Sequence, residues 1–426
     1  MEYNVTLNKN DITTHKVNRI KLHFIAILII VELVLGGAGR VIMLGSLTAR
    51  YILFLLAILF FILKVIRNNF KVEKNIFHIP VVVFFFFYLI SIMNGMIRGY
   101  PISEIVFSSQ GYLYLLMFFP FTLFINTTEK AKIALHIFNK AAFFLALFSI
   151  GIFVAFSVRP SLYSVINPLL MNLEYGHLSM RYGLPSVFFK TSPYMAIAFI
   201  HELYKYVSLS NERTFFSIIR MFILLVGCLT TMTMGIWVSL VFGILVVISF
   251  SKGSKKLAAL LLTIIVGIAV TLIFSEFLSS ALVNRISRTD SSYIIKSNQL
   301  LTMINVWFEN MLFGKGFGVR ILFISEIATR EMAKFELFWL ELLVNMGILG
   351  FISYVYIILK NLFVGLKSCR KLNLREATHV KSIIIGLLML CIISSVNPFL
   401  NNPIGLGYLV IVMTSINAFY KKSIAS

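Results

Sequence analysis

The chain has 426 residues, of which 59% are hydrophobic and 13% charged, and its formal net charge is +21. Its mean hydropathy is +0.92. Water-soluble domains rarely reach such a composition, and the apolar residues fall in runs of about 17–25, the length of a membrane-spanning helix. These values exclude a soluble globular enzyme. They predict a polytopic membrane protein with helical spans, because backbone groups inside a bilayer must be satisfied within each span.

We predict an all-α chain with about twelve transmembrane helices, forming a single domain over residues 1–426. The predicted spans lie at residues 20–38, 43–63, 78–97, 105–126, 133–157, 186–207, 215–232, 234–250, 257–277, 337–359, 382–398 and 403–420. The first 21 residues are polar and basic, and the first apolar run has full length, so no cleavable signal peptide is expected. The three cysteines give neither a disulfide framework nor a metal-binding spacing.

Basic residues mark one side of the predicted membrane. Most of the 38 Lys and Arg residues fall before the first span, after the last one, or in alternate connections. The positive-inside rule assigns those segments to the cytoplasm and predicts both termini inside. The net charge is therefore explained by topology and by attraction to anionic lipids, and a nucleic-acid partner is not expected.

The remaining bases are predicted to lie outside, against the insertion bias. They are Arg40, Arg50, Arg98, Arg159, Arg181, Lys190, Arg285, Arg288, Lys296, Lys315, Arg320, Arg330 and Lys334. Some are expected to pair with nearby acids, and Glu32 in the first span is expected to pair with Arg50 or Arg40. Most of the others lie in two long outer loops, residues 158–185 and 278–336.

The second outer loop contains an apolar repeat with helical spacing. It consists of Leu300, Met303, Ile304, Trp307, Met311 and Leu312. This pattern predicts an amphipathic helix, lying in the membrane interface or packed against neighbouring spans. Gly314, Gly316 and Gly318 follow it. No strand precedes these glycines and no Lys-Ser/Thr pair follows, so they predict a turn and not a nucleotide-binding loop.

Three short motifs carry a resemblance to a known family. Residues 296–318 read KSNQLLTMINVWFENMLFGKGFG, and residues 336–350 read ELFWLELLVNMGILG. Arg181 with Gly183, Ser192 and Pro193 forms the second motif, and residues 231–237 form the third. Together with the span layout, they resemble the O-antigen polymerase and O-antigen ligase superfamily, which implies a GT-C-like fold with a large outer loop.

The chain departs from that family at informative positions. Lys296 stands where arginine is usual, and Thr233-Met234 stands where Ser-Arg is usual. Glu336 occupies the position of the ligase histidine that is proposed to act on the acceptor. The loss of this histidine favours the polymerase branch over the ligase branch.

The resemblance implies a polysaccharide polymerase of the bacterial cytoplasmic (inner) membrane. Its substrate would be undecaprenyl-diphosphate-linked oligosaccharide, joined at the outer face into O-antigen, capsule or exopolysaccharide. Membrane lipid, a chain-length regulator and a flippase are expected partners. The chain has no Asp-x-Asp nucleotide–metal motif, so neither a metal ion nor a cofactor is expected.

The leaving diphosphate requires positive charge, for which arginine is well suited. The predicted diphosphate-binding residues are Arg181, Arg285, Arg288, Lys296, Arg159 and Arg320. Two candidates for the general base are Glu336, at the position of the ligase histidine, and His177, which alone among the seven histidines is predicted outside. For Glu336 the alternative is an acid that favours the start of a helix electrostatically.

Two other functions are compatible with parts of this pattern. An O-antigen ligase would share fold and donor but attach finished polymer to a different acceptor. A flippase or transporter of lipid-linked sugars would carry internal repeats and basic residues in the middle of its spans. The sequence has neither feature, since its outer charges gather in the two long loops.

Overall fold

The computed structural model describes residues 22–45, 47–69, 71, 73–181, 184–251, 291–324 and 329–425. Within these ranges the chain is mainly helical, and seven helices are long and apolar enough to cross a membrane. This finding fits an α-helical, multi-pass membrane protein. The predicted span 257–277, together with Arg285 and Arg288, lies outside the described residues.

The first part of the chain alternates long helices with short hairpins. Its elements are α1 (Phe24–Leu35), β1 (Met43–Leu44), β2 (Leu47–Thr48), α2 (Ala49–Arg67), α3 (His78–Ile97), α4 (Ile102–Ser109), a 3₁₀ helix (Gln110–Met117), α5 (Phe118–Phe124), α6 (Thr128–Val158), a 3₁₀ turn (Pro160–Leu162) and α7 (Tyr163–Asn172). The strands β1 and β2 pair antiparallel.

The second part contains two further antiparallel hairpins. Its elements are β3 (Gly176–Arg181), β4 (Leu184–Phe189), α8 (Pro193–Ser208), a 3₁₀ turn (Ser210–Glu212), α9 (Phe215–Leu229), α10 (Met234–Phe250), α11 (Ser291–Phe308), β5 (Ile321–Ile324), β6 (Thr329–Met332), α12 (Phe338–Ser368), α13 (Leu374–Ser394) and α14 (Pro403–Ala425). The pairs are β3 with β4 and β5 with β6.

Several predicted spans match single helices, and others are divided. The spans predicted at 78–97 and 234–250 coincide with α3 and α10. The apolar run predicted at 105–126 is split into α4, a 3₁₀ segment and α5. At Gly111 in that segment, an added Cβ would lie 2.1 Å from the Asn401 carbonyl oxygen, so the chain is pressed against the loop before α14.

The span predicted at 186–207 begins as a strand. Residues 184–189 form β4, and the helix begins only at Pro193, where a missing N–H costs no hydrogen bond. The apolar composition of β4 reflects burial between β3 and the helices, which hydropathy alone does not distinguish from burial in a membrane. The twelve-span count therefore stays a prediction, as do the positions of the two termini.

The helices differ strongly in how much of their surface the protein itself covers. In the most apolar stretch of α14, 89% is buried inside the protein, whereas in the corresponding stretch of α2 only 11% is buried. Both are apolar around most of their circumference. We infer that α14 lies at the centre of the bundle and that α2 faces lipid, since an all-apolar helix must be covered by protein or membrane.

The predicted amphipathic helix corresponds to α11, and it packs on its neighbours. Met303 is fully buried in a small cluster with Phe323, Phe335 and Val344, while Leu300 is 44% exposed. These contacts join α11 to the β5–β6 hairpin and to the start of α12. The side chains of the apolar repeat thus lie on two faces of the helix, one packed against protein and one exposed.

Candidate functional site: a basin at the predicted outer face

The turn formed by Gly314, Gly316 and Gly318 interlocks with the first part of α12, which contains most of the motif at residues 336–350. Helix α12 is interrupted at Gly347, whose φ of 65° and ψ of −172° are not helical. The carbonyl oxygens of Val344 and Asn345 accept hydrogen bonds from Lys315 N (2.7 Å) and Gly316 N (3.1 Å). On the other side of the break, Ile348 N donates to the Met311 carbonyl oxygen at 2.8 Å. The loop therefore replaces backbone hydrogen bonds that the interrupted helix lacks.

This interlock leaves no room for side chains where the two segments meet. A Cβ on Gly347 would lie 2.2 Å from the Leu312 carbonyl oxygen, and one on Gly314 would lie 2.6 Å from Gly347 N. Both glycines also have positive φ. The two halves of the family-like signature are thus parts of one structural unit, which fixes the loop against the first third of α12.

A second unit at the predicted outer face is formed by the β3–β4 hairpin and the turn between α9 and α10. Val187 N donates to the Thr230 carbonyl oxygen at 2.9 Å, and Ser186 Oγ donates to the Thr231 carbonyl oxygen at 2.9 Å. Arg181 Nη1 donates to the Met232 carbonyl oxygen at 2.7 Å. The hairpin and the turn are therefore joined by three successive carbonyl groups.

The turn itself is tightly built and connects to the next loop. Met232 is fully buried with a φ of 46°, a conformation that non-glycine residues seldom adopt. Beyond it, a Cβ on Gly235 would lie 3.1 Å from both Asn397 Nδ2 and Val396 Cγ2. The absence of a side chain at Gly235 lets the α9–α10 turn contact the α13–α14 loop.

Lys296, in α11, contacts that same loop. Its Nζ donates to the Val396 carbonyl oxygen at 2.9 Å and lies 3.3 Å from Glu336 Oε2. The Lys296 side chain is 24% exposed and that of Glu336 is 43% exposed. Arg181 and Lys296 are thus linked through two touching loops, and we call the region between them the outer basin.

His177 belongs to the Arg181 side of the outer basin. His177, Ser179 and Arg181 alternate along β3, so their side chains share one face of the hairpin. Burial lowers the pKa of His177, and the positive charge of Arg181 lowers it further. A neutral imidazole at pH 7 is a competent proton acceptor, since its unperturbed pKa is about 6.5.

More cations surround these residues. Glu174 pairs with Arg40 (2.9 Å) and with Lys190 (3.4 Å), so one carboxylate serves two bases. Lys334 lies over the Phe107 ring at 4.1 Å. Burial lowers the pKa of the Lys334 amine, against the opposing influence of nearby carboxylates. The local excess of positive charge suits an anionic ligand.

Other predicted site residues lie elsewhere or are not described. Arg320 pairs with Glu104 and with Glu331, at 3.6 Å for the latter, beside the α3–α4 connection. Those carboxylates raise the pKa of its guanidinium, with Glu104 the stronger cause. Arg159 is exposed at the end of α6, and its side chain makes no ion pair within the described ranges. Arg285 and Arg288 fall outside the residues the structure describes.

Sequence reasoning missed a buried polar group near the start of α12. Glu341 is fully buried, accepting from Asn401 Nδ2 at 3.0 Å and from Phe335 N at 3.3 Å. One turn later, Asn345 is also fully buried, and its side-chain amide has no hydrogen-bond partner in the described part of the chain. The i, i+4 spacing of two polar residues inside an apolar run was the available signal.

The described residues contain no group of three or more His, Cys, Asp or Glu side chains arranged to hold a metal ion. The basin offers guanidinium, ammonium, imidazole and carboxylate groups at one end of the bundle.

No protein-family model matches the chain, and a search of curated proteins finds no significant match.

Proposed function

We propose that the protein is a polysaccharide polymerase, a glycosyltransferase that joins undecaprenyl-diphosphate-linked oligosaccharide units at the outer face of the bacterial cytoplasmic membrane. The observation that carries the proposal is the outer basin, in which Arg181 and Lys296 donate to carbonyl groups of two loops that contact each other. Multi-pass helices supply access from the bilayer, where the lipid part of such a substrate resides. The family-like motifs give the same reading by analogy.

In this proposal the cations of the basin bind the diphosphate. The oxygen of an acceptor hydroxyl attacks the anomeric carbon of the donor sugar, and the bond from that carbon to the phosphate oxygen breaks. Undecaprenyl diphosphate leaves with the bonding electron pair, and Arg181 and Lys296 stabilise the charge that develops on it. Energy for the transfer comes from the donor itself, so the proposal requires no nucleotide.

The proton of the acceptor hydroxyl goes to His177, which is neutral at pH 7 and shares the hairpin face of Arg181. Glu336 then has a positioning role. Its carboxylate lies 3.3 Å from Lys296 Nζ and holds that amine beside the Val396 carbonyl group. Under this assignment, His177 and Glu336 should affect the pH profile of the rate differently.

The test is reconstitution with a synthetic undecaprenyl-diphosphate-linked repeat unit. We expect a ladder of lengthened, lipid-linked products. Arg181→Ala and Lys296→Ala should each lower the rate by roughly 10²–10³-fold, the usual effect of removing one donor to a developing charge. Gel analysis of the products with time measures this rate.

Arg213→Ala is the matched control, because Arg213 also donates to backbone carbonyl oxygens, those of Tyr206 (3.2 Å) and Val207 (3.3 Å), but lies at the other end of α8. It should retain the ladder. Normal ladders from both basin variants would refute the diphosphate assignment. Transfer of sugar to a different lipid acceptor, without lengthening, would indicate a ligase.

A further inference from the structure

A concave site lies on the outward-facing wall of the bundle, between the end of α3 and the segment that follows α11. It is a groove of about 800 Å³. Its lining residues are Ile90, Met93, Asn94, Ile97, Arg98, Phe308, Asn310, Met311, Leu312, Phe313 and Gly314. Most are apolar and exposed, including Ile97 at 82% and Leu312 at 60%. An apolar groove on a membrane-spanning surface is open to the hydrocarbon of the bilayer.

One end of the groove is polar and positively charged. Arg98 follows the last residue of α3, the end predicted to face outward, where side chains meet lipid headgroups. Its Nε donates to Asn94 Oδ1 at 3.1 Å, and its Nη2 donates to Asn310 Oδ1. In the described ranges no carboxylate pairs with Arg98. Neutral amides therefore orient the guanidinium without cancelling its charge.

The groove is separate from the outer basin. Lys296 and Phe308 belong to the same helix, α11, and are twelve positions apart, which corresponds to about 18 Å along the helix axis. The two sites therefore lie toward opposite ends of α11, and the inference that follows does not depend on the proposed function.

We propose that this groove binds an anionic phospholipid of the outer leaflet. Its phosphodiester contacts the Arg98 guanidinium, and an acyl chain lies along Met93, Ile97 and Leu312. Charge complementarity selects this occupant, since a single oriented guanidinium matches a single phosphodiester charge. A zwitterionic headgroup is disfavoured because its ammonium group is repelled by Arg98.

The bound lipid also stabilises the interlock of α12. The same polar groups tie α3 to the glycine loop, because Asn94 Nδ2 donates to the Gly314 carbonyl oxygen at 2.8 Å and Arg98 binds Asn310. Gly314 N in turn donates to the Asn310 carbonyl oxygen at 2.9 Å. A phosphate on Arg98 holds these side chains in place, so lipid binding raises the melting temperature of the whole protein.

The experiment is native mass spectrometry of the purified full chain with phosphatidylglycerol or phosphatidylethanolamine of identical acyl chains. We expect preferential retention of one phosphatidylglycerol molecule. Arg98→Gln should lower its affinity about tenfold, to the level of phosphatidylethanolamine, because a charge-assisted phosphate contact is lost. It should also remove the rise in melting temperature that phosphatidylglycerol causes in the wild type.

Two further variants separate the parts of the proposal. Arg159→Gln removes one exposed outer arginine at the end of α6 and should leave lipid retention unchanged. Met93→Trp fills the groove without changing charge and should weaken both lipids. Wild-type retention by Arg98→Gln, or equal retention of the two lipids, would overturn the proposal. Displacement of phosphatidylglycerol by undecaprenyl phosphate at lower concentration would also overturn it.

Discussion

At the scale of single residues, two arginines of this protein are held by different partners, one by a carboxylate and one by a backbone carbonyl group. The pairing of Glu32 with Arg50 is confirmed, with Arg50 Nε 3.0 Å from Glu32 Oε2 and only 6% of the Arg50 side chain exposed. A lone acid in an apolar span needs a partner, and few bases were near enough in sequence. Arg181 instead binds the carbonyl group of Met232, 51 positions away. A backbone carbonyl group can be supplied by any residue type, so the sequence does not reveal such a partner.

The lowered pKa of His177 gives a pH prediction. Above its folded pKa the imidazole is neutral and accepts the proton of the acceptor hydroxyl. The rate should therefore fall as the pH drops and His177 becomes protonated, with a midpoint below the ordinary imidazole pKa of about 6.5. His177→Gln should lower the rate by roughly 10²-fold or more and remove this acid limb. The measurement is the pH profile of ladder formation.

Glu336→Gln serves as the comparison, because a positioning residue should change the magnitude of the rate and keep the acid limb. A limb that survives in His177→Gln would exclude His177 as the base.

The lowered pKa of His177 also makes the folded protein less stable at acid pH. The folded pKa lies below the unfolded value of about 6.5, so the unfolded chain binds the proton first, and folding weakens as the pH falls below that value.

At the scale of elements, the interrupted helix α12 organises the outer face. In the sequence, the turn at Gly314–Gly318 and the glycine at position 347 belong to two separate stretches, about thirty residues apart. In the structure the loop donates to Val344 and Asn345, before the break, and accepts from Ile348 beyond it. Both segments need glycine for the same reason, which is that two backbones approach more closely than any Cβ permits.

Replacement of Gly347 by alanine should therefore break this unit. The variant combines a backbone conformation that alanine avoids with a Cβ 2.2 Å from the Leu312 carbonyl oxygen. We expect a loss of roughly 2–4 kcal/mol of stability, since strained φ/ψ alone costs about 1–3 kcal/mol. Thermal unfolding in detergent, followed by light scattering and intrinsic fluorescence, measures the effect.

Gly151→Ala is the control for this substitution. Gly151 lies inside α6, and an added Cβ there would have no heavy atom within 4 Å. Alanine favours helix over glycine, so this variant should match or slightly exceed the wild-type melting temperature. Equal stability of Gly347→Ala and Gly151→Ala would mean that the break in α12 does not require glycine.

At the scale of the whole molecule, charge and burial give complementary information. The distribution of Lys and Arg predicts which end of the bundle faces the cytoplasm, but it does not order the helices. Burial shows which helices are central and which are peripheral: α14 is enclosed by protein, and α2 is open to lipid. The outer basin arises because α9–α10, α11 and α13–α14 meet at one end, although they are far apart in the chain.

The predicted orientation has a direct test with introduced cysteines. Ser161 follows α6 and is exposed, and Ser210 follows α8 at the opposite predicted side and is also exposed. On intact cells, a membrane-impermeant maleimide should label Ser161→Cys and should label Ser210→Cys only after lysis. The unmodified chain, with its three native cysteines, gives the background. The reverse labelling pattern would invert the topology and remove the outer basin from the outer face.

The sequence by itself determined the membrane class, most helix positions and the glycine motifs, because hydropathy and conformational freedom are local properties of residues. It also identified Arg181 and Lys296 as candidates from positive charge on the side that membrane insertion disfavours, Glu336 from the family resemblance, and His177 as the one histidine predicted outside. Only the tertiary structure decided which of these share a basin, why Arg320 is engaged with Glu104, and that α12 is interrupted. Those facts depend on contacts between segments that are far apart in the chain, many of them made by backbone atoms, which are alike in nearly every residue.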